Sequence, residues 1–301
     1  DFAAKKKFNA YFLQFRNSFT FFERWYGLEK NRASRKTSFS ISQAEEICAV
    51  IKKEVLKRGM LLHMVGHGWT CEPFGIPGLE WAPFYKKIKP SVKKYFAMVD
   101  GKRELWHGIP LNTQLCYSNP TVREIMARSV ADYADAHQNE KIIHVWLADG
   151  SNNFCECSNC RKHRHSDLYV KLLNRIDELL TARKITTRIV FLAYVDLLWA
   201  PLKEKIHNPD RFILMFAPIT RSYAIPFLSS RKLEKERIMP WKRNKLVFPS
   251  TPRGNLELFY KWRRAFNGEQ VDFDYHLWRA WVSDITQLQL SKILYADIRA
   301  L

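Results

Sequence analysis

The sequence predicts an α/β fold of the TIM-type (β/α) barrel class, and two observations predict it. Short apolar runs of strand type alternate about seven times with amphipathic stretches of helical period along the 301 residues, an order that makes parallel sheet. No Pro/Gly/Ser-rich linker interrupts them. Neither G-x-G-x-x-G after the first strand nor G-x-x-x-x-G-K-[ST] anywhere is present, so the open doubly wound alternatives lose support.

The expected strands are 9–15, 60–65, 113–117, 142–148, 188–194, 212–217 and 271–277. Residues 105–109 read as a loop or hairpin arm because Pro110 interrupts them. Ser42 and Glu45 make a capping box ahead of the stripe Ile47, Val50, Ile51 and Val55, and Gly59 closes that helix. Pro120 takes a first helical position after Asn119, ahead of Val122, Ile125, Met126, Val130 and Tyr133. Ser166 caps a third helix carrying Tyr169, Leu172, Leu173, Ile176 and Leu180. Each stripe is assigned to packing.

A hydrophobic content of 47% and a charged content of 26% are those of a globular chain, which excludes disorder and collagen. No apolar run approaches the roughly 20 residues of a membrane-spanning helix, so a soluble protein without a membrane partner is expected. The net charge of +19 suits a polyanion, either nucleic acid or an acidic polysaccharide. The chain opens on Asp1 rather than Met and reads as a piece of a longer one, so a missing leader says nothing about compartment.

Barrel enzymes work on the loops after their strands, and those loops are polar and aromatic here. They carry His67 and Trp69, then Asn112, then Asn152 and Asn153, then Tyr194, and finally Tyr275, His276 and Trp278. Flat aromatics with amides and carboxylates suit a sugar ring, whose face stacks and whose hydroxyls hydrogen-bond. Asp149 is delivered to the mouth by the apolar run before it, with Gly150 turning the chain away. The competing reading of Asp149 is an ordinary turn residue. Asp274 is a second carboxylate that could act with Asp149 as acid and base or nucleophile, or else partner a buried arginine or tyrosine. Glu72 and Glu80 are reserve acids, and Arg103 and Arg221 could hold a substrate carboxylate or sulfate.

Cys155, Cys157 and Cys160 have the spacing of thiolates wrapping one tetrahedral metal, with His163, His165 or Cys116 as fourth ligand. A structural zinc that ties down a long loop is expected, without an organic cofactor; reduced loop cysteines are the alternative. Thiolate ligands lean towards a reducing cytoplasm.

The segments Gly66 to Thr70, Asn112 to Pro120, Trp146 to Cys160 and Phe273 to Trp278 resemble the domain of unknown function 4838 family along nearly the whole chain. That resemblance implies a branch of the glycoside hydrolase barrels related to α-glucuronidases and β-hexosaminidases. It implies one (β/α)8 domain over residues 1–301 that lacks its first and last strands here, with further domains in the same chain. The expected function is a glycoside hydrolase acting on a polysaccharide or oligosaccharide, with uronate-containing chains among the candidate substrates. The rivals are a non-catalytic carbohydrate-binding barrel and, further off, a zinc-containing nucleic-acid-binding protein. The last lacks a basic stripe with interleaved aromatics and a second cysteine knuckle.

Overall fold

The computed structural model describes residues 2–27, 39–229, 236–279 and 288–300, with the side chains of Trp278 and Arg279 outside the description. Strands β1 (Ala10–Gln14) and β2 (Leu61–Gly66) are followed by a short antiparallel hairpin, β3 (Met98–Val99) and β4 (Lys102–Arg103). Strands β5 (Ile142–Val145), β6 (Arg188–Tyr194), β7 (Phe212–Ala217) and β8 (Glu269–Asp272) complete the set. Six of them form one parallel sheet in the order β1-β2-β5-β6-β7-β8. The winding never reverses along that order, which is how a barrel is laid down and not how a doubly wound sheet is. The sheet curls into a half-barrel, and within the described residues β1 and β8 do not pair.

Three expected strands differ. The run 142–148 leaves the sheet after Val145. Residues 113–117 are not in the sheet; β2 pairs directly with β5, from His63 against Ile142 to Gly66 against Val145. The backbone of 113–117 is committed elsewhere, since Ala97 N–H donates to Gln114 O and Cys116 N–H to Tyr95 O. A parallel neighbour also needs a crossover of a dozen or more residues, usually helical, and the long helix α5 (Pro120–Ala136) comes only after this segment. The last strand starts and ends earlier than 271–277. The chain leaves the sheet at Phe273 and turns into a short helix, His276–Arg279.

Alternation divides the core. Ile143, Val145, Ile189, Phe191, Leu214 and Phe216 face outward onto α5, α6 (His165–Ala182) and α7 (Pro252–Ala265). Ile142, Trp146, Val190, Leu192, Ile213 and Met215 face the concave side with Phe12 and Phe273. Both faces are buried, hence the near-continuous apolar runs.

Two of the three expected helix starts hold in kind, and the Ser166 cap does not. The capping box of α3 (Ile41–Lys57) is Ser40 with Gln43, two residues before the expected pair, with Ser40 Oγ accepting Gln43 N–H at 3.2 Å. Asn119 caps α5 ahead of Pro120 as expected. Ser166 lies inside the first turn of α6, where Asp167 takes the Arg164 N–H at 3.1 Å.

The hairpin turn is Asp100-Gly101, both at positive φ, the pair favoured in tight two-residue hairpins.

Candidate functional site

The strand ends converge on a pocket of about 400 Å³ at the concave mouth. His67, Asp149, Tyr194 and Tyr275 line it, as the strand-end rule predicts. Trp81, Trp146 and Phe273 supply most of its remaining aromatic wall, and Gln14 closes the β1 side.

His67 is placed by glycines on either side. Gly66 has φ 98° and carries the ring of Trp146, which would lie 3.0 Å from an added Cβ; at Gly68, φ 102°, a Cβ would meet Glu72 Oε1 at 2.8 Å. The imidazole is held edge-on to Trp146 and Trp81, with ring centres 4.8 and 5.1 Å away. Burial pushes its pKa down to about 4 although the Asp149 charge opposes this, so His67 is neutral at pH 7 and offers one donor and one acceptor.

Asp149 is half-buried, its N–H donates to Leu111 O at 2.9 Å, and its carboxylate accepts no hydrogen bond from the described residues. The loop bearing it is pinned by amides that the sequence offered as sugar ligands. Asn153 Nδ2 donates to Asn112 O at 2.6 Å, and Asn152 Nδ2 donates to Leu246 O at 3.3 Å while its Oδ1 accepts Leu246 N–H at 2.7 Å. Gln114 Nε2 donates to Ala148 O and Gly150 O. Asn112, Asn152 and Asn153 therefore stand behind the pocket as positioning residues and do not line it.

Other expected residues lie elsewhere. Trp69 is fully buried outside the mouth, its Nε1–H on His144 O at 2.8 Å and its ring edge-on to Tyr133. Such a ring is packing. Asp274 turns away from the pocket into a two-pronged pair with Arg221, at 3.2 and 2.6 Å, so of its two readings the arginine partner describes it. His276 Nε2 lies 2.9 Å from Asp297 Oδ2, which accepts its N–H, in the same cluster. Arg221 is thus spent internally. Arg103 donates to Phe96 O and reaches Cys155 Sγ at 3.9 Å, so neither arginine is at the mouth. Glu72 pairs with Arg16 and Glu80 with Arg24. The side chain of Trp278 lies outside the described residues.

Behind the mouth, Asp196 is fully buried and takes the Asn152 N–H on both oxygens at 3.0 Å. Burial pushes its carboxyl up to about 7, against the pull of that N–H. The folded chain then keeps a proton that the unfolded chain releases near pH 4, so stability falls as pH rises from roughly 4 to 7. Asp196→Asn should flatten that slope in denaturant melts across this range. An unchanged slope would remove Asp196 as its source.

The thiols of Cys116, Cys155, Cys157 and Cys160 gather so that all four sulfurs lie within 4.8 Å of one another, a cluster that could hold a metal ion. Cys116 Sγ is 3.7 Å from Cys157 Sγ and 3.9 Å from Cys160 Sγ. Of the three fourth-ligand candidates the structure brings in Cys116. His165 instead stacks on Phe154 at 3.8 Å, and His163 is outside the cluster. Met98 N–H donates to Cys155 Sγ at 3.3 Å and Cys160 N–H to Cys157 Sγ at 3.5 Å. Arg243 clasps the cysteine loop through Cys155 O at 3.0 Å, Cys160 O at 2.7 Å and His163 O at 2.5 Å.

Sequence reasoning missed Trp81, Trp146 and Phe273. Period two was the available signal for Phe273, which must share a face with Tyr275, and for Trp146, which shares one with Ile142. Nothing in the loop around Trp81 marked it.

No helix of the described residues is long and apolar enough to cross a membrane. No curated protein matches the chain. Residues 81–245, which carry Asp149, the hairpin and all four clustered cysteines, match the family model described as Domain of unknown function (DUF4838), and the chain belongs to that family.

Proposed function

We propose that the chain is the barrel portion of a glycoside hydrolase acting on a polysaccharide or oligosaccharide, with Asp149 as a carboxylate of the reaction. The observation that carries this reading is a carboxylate with no described hydrogen-bond partner in an aromatic pocket of about 400 Å³ at the strand ends. A sugar ring stacks on such walls, and neutral His67 can donate to or accept from a hydroxyl. Asp149 would transfer the proton at the glycosidic oxygen or attack the anomeric carbon; the bond cleaved is the C–O bond between sugars, and water supplies the new hydroxyl. The test is a hydrolysis screen of the wild type on neutral and uronate-containing oligosaccharides. A second reading, a barrel that binds sugar without cutting it, is favoured by the Arg221 pair, which leaves the mouth with Asp149 as its one carboxylate among the described lining residues. Binding of oligosaccharides with none cleaved would select it.

The ion for the four cysteines is zinc, in a structural role. Zn–S bonds of about 2.3 Å set tetrahedral sulfurs about 3.8 Å apart, matching the 3.7 and 3.9 Å here. Four thiolates on Zn²⁺ leave a double negative charge, and Arg103, Arg123 and Arg243 all lie close enough to interact with it. A closed sulfur shell would tie the loop after β5 to the segment bearing Cys116, and so hold the backbone of Asp149. Protein purified without chelator should carry about one zinc per chain. Cys160→Ser should lower both metal content and melting temperature; a metal-free wild type melting at the same temperature would sink the assignment.

A further inference from the structure

The mouth has no cationic residue among its described lining, which places any acidic group of the substrate elsewhere. A groove of about 820 Å³ runs beside it, formed by the excursion between β2 and α5. Exposed Lys86, Lys87, Lys93 and Lys102 line it against two carboxylates, Asp100 and Glu104. None of the four lysines makes an ion pair with a described carboxylate. Trp106 and His107 supply rings, their centres 4.5 Å apart, and His107 is held at φ 51°, a conformation non-glycine residues rarely adopt.

The groove and the mouth are neighbours. Gln114 lines both the groove and a small inner cavity whose other walls include His67 and Asp149, and the segment from Trp81 in the mouth reaches Phe84 in the groove.

The geometry points to this groove as the binding site for an acidic polysaccharide chain, read by its lysines while a ring of the same chain occupies the mouth. The inference rests on the mouth being a sugar site and adds where the negative charge is recognised. A linear polyuronate fits because it presents carboxylates at a regular spacing along a chain long enough to reach from the lysines of the groove to the neighbouring mouth.

The experiment is calorimetric titration with oligogalacturonate, with a neutral β-glucan oligomer and a DNA oligonucleotide as comparators. Four proteins are used: wild type, Lys86→Ala/Lys87→Ala, Lys93→Ala/Lys102→Ala, and Asp149→Asn. Wild type should bind oligogalacturonate more tightly than the glucan, and more weakly as salt rises. Each lysine variant, changed only at exposed positions, should bind it at least tenfold more weakly with an unchanged melting temperature. Asp149→Asn should bind like wild type. Equal binding by both lysine variants would overturn the site, as would tighter lysine-dependent binding of DNA. Lysine-dependent oligogalacturonate binding, with no oligosaccharide of the hydrolysis screen cleaved, would overturn the hydrolase reading and leave the groove standing.

Discussion

Replacing Asp149 by asparagine is expected to lower hydrolysis of a cleavable oligosaccharide by about 10²–10⁴-fold while substrate binding stays within about threefold. The asymmetry follows from how the residue is held. Its N–H bond to Leu111 O belongs to the backbone, and its carboxylate is bonded to no described residue, so the isosteric amide disturbs no contact. The loss therefore falls on kcat, and the melting temperature should not move. His67 cannot take over as a base of ordinary strength, because burial holds it near 4 and removal of the opposing Asp149 charge lowers it further. Unchanged kcat on the same oligosaccharide would take Asp149 out of the reaction.

Arg221→Met is expected to cost about 3–5 kcal/mol of stability, because it strands buried carboxylates that the guanidinium now pairs. Arg221 reaches Asp274 Oδ1 and Oδ2 at 3.2 and 2.6 Å and Asp297 Oδ2 at 2.5 Å, and it packs over the rings of Phe227 and Tyr223 at 4.1 and 4.4 Å. It joins the segment after β7 to the chain beyond β8 and to the helix Leu288–Ile298. Methionine keeps the stem's contacts with those rings but not the charge. Burial raises Asp297, yet His276, the Phe227 N–H and Arg221 together hold it below the usual aspartate range. Its contribution is thus complete above about pH 4 and is lost as pH falls through the folded value. Chemical denaturation of wild type and variant at pH 7 measures the loss. Adding Asp297→Asn to the variant should recover part of it, which a mere packing defect would not allow. A difference under 1 kcal/mol would show that the cluster is not a stabilising pair.

Much of the site was legible because strand ends can be read from apolar runs. The sheet ladder of the run before Asp149 ends at Val145, and three further apolar residues carry the chain to the carboxylate at the mouth. Asp274 shows the limit. An extended Phe273-Asp274-Tyr275 places the outer two on one face and the aspartate on the other, so the aromatic signal there argued against a pocket carboxylate. Asn112, Asn152 and Asn153 failed as ligands for a different reason: an amide suits a loop carbonyl as well as a sugar hydroxyl, and the residue type cannot say which it meets.

By itself the sequence determined the alternation of strands and helices, the parallel winding, the strand-end position of Asp149 and the three clustered cysteines. These depend on local periodicity and spacing, which act over a few residues. Only the tertiary structure decided that residues 113–117 stay out of the sheet, that Cys116 joins cysteines about forty positions away, and that Arg221 claims Asp274. Each of those outcomes is a competition among distant partners for one backbone bond, one sulfur shell or one charge. Such a competition is settled by where the folded chain brings the partners within a few ångströms, a distance that sequence separation does not encode.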